Sequence, residues 1–144
     1  LDWSRMEKYQ EIHDFFRYMI AFRKKYAILR KTTEPAVCKL PEISIHNGFP
    51  WNGGTDSNSH LIGIMYAGRD EKNIRDDIIF YCMNAYWEPL IMQLPELPNG
   101  MEWKVCVNTS VEYADGKDFE TMTEFYYKKT LNVPARTVII LIAE

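Results

Sequence analysis

From Ile78 to Asn84 the chain reads IIFYCMN, an almost unbroken run of branched and aromatic side chains. A strand with one face in water would alternate apolar and polar residues, so a continuous run calls for cover on both faces. The fold must therefore place layers on either side of this strand. Asn84-Ala85-Tyr86-Trp87-Glu88-Pro89 follows, with a turn former at each end. Leu90, Met92 and Leu94 then alternate with Ile91 and Gln93 until Pro95 stops the pattern. The stretch reads as a central strand, a tight aromatic corner and a returning strand. A second continuous run, VIILIA at Val138–Ala143, reads as another interior strand.

At 144 residues the chain is long enough for one domain with a real core, burying about 68–70% of the surface its unfolded form exposes. Ser4-Arg5-Met6-Glu7 has the form of a capping box, which starts a helix at about Arg5. To about Lys25 the apolar residues fall in two stripes. Met6, Tyr9, Ile12, Phe16, Met19 and Ile20 make one, and Phe15, Tyr18, Phe22 and Tyr26 the other. Together they span roughly two thirds of the circumference, so the helix expects neighbours on two sides. Arg23, Lys24 and Lys25 read as a solvated helix end favoured by the helix dipole.

Lys31 to Pro41 is polar, aperiodic and contains two prolines, which reads as a connector. Beyond it the strand candidates are Glu42–His46, Leu61–Ala67, Asp77–Asn84, Leu90–Leu94, Glu102–Asn108, Glu124–Tyr127 and Thr137–Ala143. Turn signals separate them, as in an antiparallel sandwich or barrel. Two loops look long, Asn47–His60 and Thr109–Met122.

Catalytic chemistry finds little support. His13, His46 and His60 are isolated and show no metal-ligand spacing, so neither a metal nor another cofactor is expected. Cys82 and Cys106 sit in apolar strands, where a thiol acts as a small hydrophobe; a Cys–His pair formed by the fold stays open. Asp76-Asp77 and Asp115, Asp118 and Glu120 lie in turn-like polar surroundings and read as solvated charge rather than as a glycosidase pair. Asn108-Thr109-Ser110 reads as a chance match to a glycosylation acceptor. Trp51, Trp87 and Tyr86 could stack on sugar rings. For Trp87 the leading reading is a ring that closes the end of the core, with a partner for its indole N–H; for Trp51 packing and contact stand level.

The net charge of −3, without a basic run, speaks against nucleic acid and anionic lipid as partners. No apolar run approaches the ~20 residues of a membrane span. Three cysteines, odd in number and far apart, fit a reducing compartment. The chain opens on Leu1 and enters a helix signal almost at once, which reads as a piece of a longer protein.

Four blocks, in order, resemble the C-terminal end of isoamylase-type glycogen-debranching enzymes of the α-amylase superfamily. Leu1-Asp2-Trp3 looks like the segment before that family's last barrel helix, and FRKKYAILR at Phe22–Arg30 like the helix's closing pattern. EISIHNGFPW at Glu42–Trp51 is similar to its I-x-W-H-G segment. MNAYWEPLIMQLP, with Trp103 and Asn108-Thr109-Ser110 after it, is similar to its N-A-x-W-E-P…LP…W…DTS run. Here Ser44 replaces the usual Trp, Asn47-Gly48 the adjacent Gly, and Tyr26-Ala27 the usual His-Pro, while the GGTDSNSH loop lacks the P-D-W-S pattern.

The resemblance implies a mainly β chain: an antiparallel β-sandwich of Greek-key type, with about seven to eight strands, preceded by the last helix of a truncated (β/α)8 barrel. Residues 1–30 would end the barrel and 31–144 form the sandwich. The parent would hydrolyse α-1,6 branch linkages of glycogen or starch in the cytoplasm, with its Asp nucleophile and Glu acid/base upstream of Leu1. This piece would be non-catalytic and would shield the barrel, one helix stripe facing each body. Its partners would be that barrel, α-glucan through the parent and, through the bare stripe, another copy of itself. The alternative is an α-glucan-binding module acting through Trp51, Trp87 and Tyr86.

Overall fold

A computed structural model describes residues 3–30, 34–53, 59–69, 75–98, 100–111, 124–126 and 129–144. The protein is mainly β, and its sheets are antiparallel. Helices α1 (Ser4–Lys8) and α2 (Gln10–Lys25) and a 3-10 turn at Ala27–Leu29 come first. Eight strands follow among the described residues: β1 (Ile43–His46), β2 (Leu61–Gly68), β3 (Asp77–Asn84), β4 (Leu90–Gln93), β5 (Trp103–Asn108), β6 (Glu124–Tyr126), β7 (Thr130–Val133) and β8 (Thr137–Ala143).

Six strands form one sheet in the order β1-β2-β3-β8-β5-β6, and β4 pairs with β7 in a second. The two apolar runs are neighbours at the centre of the large sheet, with Phe80 opposite Leu141 and Cys82 opposite Ile139. Alternate residues point to opposite faces. Ile78, Phe80 and Cys82 join Met65, Ile139 and Leu141 in a core closed by Met92, Leu131 and Val133 of the small sheet. On the other face Ile79, Ile140 and Ile142 pack with Phe22 and Tyr26, and Tyr18, Met19 and Tyr81 lie against this cluster. The small sheet, the large sheet and α2 therefore form three layers, which is why β3 and β8 carry no polar face.

The helical segment differs from its expected form. Tyr9, with φ −119° and ψ 31°, separates α1 from α2. Ser4 is already helical, one residue before the expected start at about Arg5, and the residue before it, Trp3, supplies no side-chain cap. The stripes of α2 divide between protein and solvent. Phe22 is buried and Phe15 and Tyr18 partly so, the Tyr18 hydroxyl donating to the Cys106 carbonyl at 3.3 Å. Tyr9, Ile12, Phe16 and Ile20 are 44–61% exposed.

Strand bounds agree within a residue with the expected ones, and those of β3 and β8 coincide. β7 was not expected. Its four residues, TLNV, alternate exposed and buried, and Leu131 and Val133 complete the inner core. The centres of the two long loops, residues 54–58 and 112–123, lie outside the described residues.

Gly63 is fixed by close approach. A Cβ there would stand 2.5 Å from the tip of the Phe80 ring, which is fully buried. Gly53 lies against the backbone of Ile45 in β1, where a Cβ would come within 2.7 Å of the carbonyl oxygen. Trp103 is buried on Phe80, and its indole N–H donates to the Pro95 carbonyl at 3.1 Å.

Candidate functional site

The ends of β1 and β3 and the start of β2 meet at one end of the large sheet, since His46 pairs with Gly63 and Asn84 with Leu61. All three aromatic candidates lie on segments that leave this end. Asn84 fixes the geometry there. Its side-chain amide donates towards the carbonyls of Glu88 (2.8 Å), Val133 (3.0 Å) and Pro134 (3.0 Å), and its oxygen accepts the Tyr86 N–H at 2.8 Å. The Arg136 N–H donates to the Tyr86 carbonyl at 3.0 Å. The β3–β4 corner is thereby tied to the β7–β8 corner, about fifty residues away in the chain. Asn84 is 3% exposed, so these bonds form where the alternative is an unmet backbone group.

The rings of the corner stack. Tyr86 lies 4.7 Å from His60 at 12° and 4.0 Å from Trp87 at 29°. Two rings cannot share one face of a phenol at those distances, so Tyr86 is the middle of a three-ring stack. Trp87 is 65% exposed and does not close the core as expected.

Trp51 belongs to a separate device. Residues 47–53 fold as a compact loop, with the Asn47 N–H donating to the Asn52 carbonyl and the Gly48 carbonyl accepting the Gln93 N–H of β4. The Trp51 N–H donates to His46 Nδ1 at 2.9 Å, and His46 Nε2 lies 2.8 Å from Ser44 Oγ. Because Nδ1 accepts a backbone N–H, it carries no proton; Nε2 does, and donates to Ser44. His46 is buried, and burial holds its pKa below the usual value. The Trp51 ring is tilted on His46 at 5.0 Å and half exposed, with φ at 65°. Trp51 is therefore partly packing and partly open.

A second surface lies on the α2 side of the large sheet. Between the bare stripe of α2 and the large sheet runs a groove of about 390 Å³, lined by Phe16, Ile20, Arg23, Ile64, Tyr66 and Met83 among others. It is mostly apolar, with Arg23 and the two tyrosines Tyr66 and Tyr81 as its polar groups.

Of the groups considered for catalysis, Asp115, Asp118 and Glu120 lie outside the described residues, while Asp76 and the buried thiols have structural work. Asp76 accepts the N–H groups of Val37 (2.8 Å) and Cys38 (2.9 Å), pinning the segment that inserts Ala36 into the core. Partial burial pushes the Asp76 carboxyl up, but those two bonds prevail and hold it below its ordinary range. Burial pushes the Cys82 thiol up to about 12 and the Cys106 thiol to about 11, so neither is a thiolate at neutral pH. In the 108–110 turn the Asn108 side-chain oxygen accepts from Ser110 N–H and Oγ, and the Thr109 hydroxyl accepts the Val138 N–H. Among the described residues no group of three or more His, Cys, Asp or Glu could hold a metal ion, and no helix is long and apolar enough to cross a membrane.

Compared with known proteins, the chain matches no family model and no curated relative.

The sequence offered Tyr86 and Trp87 together but gave no sign of His60, because the partners meet only through the β2–β3 register. His46 was equally hidden; the nearest signal was a histidine at the end of an otherwise apolar-polar strand pattern.

Proposed function

We propose that this chain is the C-terminal β-sandwich, of Greek-key type, of an isoamylase-type glycogen or starch debranching enzyme, together with the last helix of its (β/α)8 barrel. In this reading residues 1–30 belong to the barrel and 31–144 form the sandwich. The carboxylates that cleave α-1,6 linkages lie upstream of Leu1, and the chain cleaves nothing itself. Its role is to cover the barrel's last helix and stabilise the catalytic body in the cytoplasm.

The division of α2 carries the reading. One stripe is buried on the large sheet, while Tyr9, Ile12, Phe16 and Ile20 form an apolar stripe left to solvent. A helix seated between two bodies has both stripes filled. The order of the four sequence blocks supports the same parent.

The test is binding of the 144-residue chain to an isoamylase-type catalytic barrel that lacks its own C-terminal domain, read by calorimetry and by the barrel's melting temperature. Wild type should bind and raise that temperature, and the double variant Phe16→Asp/Ile20→Asp should do neither. No binding by the wild type would sink the reading, as would release of reducing sugar from glycogen by the purified chain. Concentration-dependent self-association without barrel binding would assign the stripe to a second copy instead.

A second reading, an α-glucan-binding module, is favoured by the His60–Tyr86–Trp87 stack.

A further inference from the structure

We infer that the outward indole face of Trp87 is a carbohydrate-stacking subsite, held from behind by Tyr86 and His60, and that it takes a neutral oligosaccharide of pyranose units. The inference rests on the second reading above and is independent of the barrel reading.

The first step is that the ring is presented rather than merely exposed. A lone surface aromatic is ordinary and needs no explanation. Trp87, however, is 65% exposed while its inner face lies on Tyr86, whose other face lies on His60. The backbone on both sides of it is fixed as well. Tyr86 bonds through its N–H to the Asn84 side chain and through its carbonyl to Arg136, and the Glu88 carbonyl accepts from Asn84. A ring already held in place loses little freedom when a ligand arrives, and that saving appears directly as affinity.

The second step is the chemistry of the ligand. A pyranose ring offers a flat face of C–H groups and a rim of hydroxyls that both donate and accept. It needs an aromatic plateau with mixed polar groups beside it. At this corner Glu88 follows Trp87 in the chain and Arg136 is tied to Tyr86 through its backbone N–H, and both residues are exposed. This rim contains donors and acceptors and is close to neutral. A polyanion would meet Glu88 and a chain of net charge −3. A proline-rich peptide needs a slot between aromatic walls, whereas Tyr86 lies flat against Trp87 and leaves a plateau.

The structure also separates the three aromatic candidates. Tyr86 has a ring on each face and acts as the brace, Trp87 supplies the contact, and His60 is a positioning residue behind them. Trp51 sits on its own loop over His46 and stands outside this subsite.

The experiment titrates the 144-residue chain with maltoheptaose and, separately, with cellohexaose, reading tryptophan fluorescence and backbone amide shifts. Saturable changes centred on Tyr86–Glu88 are expected with at least one of them. Trp87→Ala should weaken binding about tenfold or more, with an unchanged unfolding midpoint because the side chain is exposed. His60→Ala should weaken it severalfold, and His60→Phe, which restores a ring behind Tyr86, should recover it; Trp51→Ala should bind as wild type. Binding of cellohexaose alone, lost in Trp87→Ala, supports the subsite and counts against α-glucan as its ligand. Maltoheptaose binding that survives Trp87→Ala overturns the subsite while leaving a glucan-binding module standing. No saturable change with either sugar at millimolar concentration overturns both, and so does binding of a polyproline peptide in their place.

Discussion

Asn84 lends itself to an unusually clean perturbation, because Asn84→Asp keeps the shape of the side chain and reverses one end of it. The acceptor for the Tyr86 N–H survives, while the NH2 that faces the carbonyls of Glu88, Val133 and Pro134 becomes an oxygen. An amide has two protons for those three carbonyls, so two full hydrogen bonds are lost, about 1 kcal/mol each, and buried carbonyls now face a like-charged oxygen at about 1–3 kcal/mol. The sum is about 3–5 kcal/mol. That is a large part of the ~5–15 kcal/mol by which domains are stable. With a urea m-value of about 1–3 kcal/mol per molar, the midpoint of urea unfolding at pH 7 should fall by more than about 1 M. The penalty should also depend on pH in a definite direction. Three carbonyls favour the protonated form, so the folded pKa of the introduced carboxyl lies above its unfolded value of about 3.9. The deficit is then full above the folded pKa and shrinks as pH falls towards the unfolded one. A variant within about 0.5 kcal/mol of wild type at pH 7 would refute the assignment of Asn84 as the tie between the two corners.

Three further outcomes follow from the same geometry. His46 is held neutral below its ordinary pKa, so the unfolded chain binds its proton first; stability should be level above about pH 6.5 and decline as pH falls from there towards the depressed folded value. Urea midpoints of wild type and His46→Gln between pH 7.5 and pH 5 should show a decline that the variant lacks. On α2, Phe22→Ala should cost about 3–5 kcal/mol and Phe16→Ala less than about 0.5 kcal/mol in thermal unfolding, because only the first ring is buried. Gly63→Ala should cost about 1–3 kcal/mol by the same measurement, since the new methyl must displace the Phe80 ring.

The sequence showed most clearly those elements whose pattern is set by their own surroundings. β3 and β8 are buried on both faces, and their continuous apolar runs mark both ends of each strand. β7 gives only Leu131 and Val133 as signals in four residues, too few for a pattern to stand out. The break at Tyr9 falls at a residue with no helix-breaking chemistry, and no neighbouring Gly or Pro announces it. At the corner, Asn84 is legible as a turn former, but its bonds to Val133 and Pro134 depend on a partner far along the chain. The exposure of Trp87 is likewise invisible in its local sequence. A large ring at a strand corner suggests a plug, whereas Trp87 is 65% exposed and stacked on Tyr86.

The small contact between Gly53 and the backbone of Ile45 bears on the life of this protein in a crowded solution. β1 is the outermost strand of the large sheet, and its outward side chains Ile43 and Ile45 are more than half or about half exposed. An open apolar edge of that kind is a template on which another chain can add a strand and begin to aggregate. The loop after β1 turns back so that Gly53 lies against this strand, at a spacing only a residue without a side chain can reach. A larger residue at position 53 would have to displace the loop from Ile45, leaving that part of the edge bare.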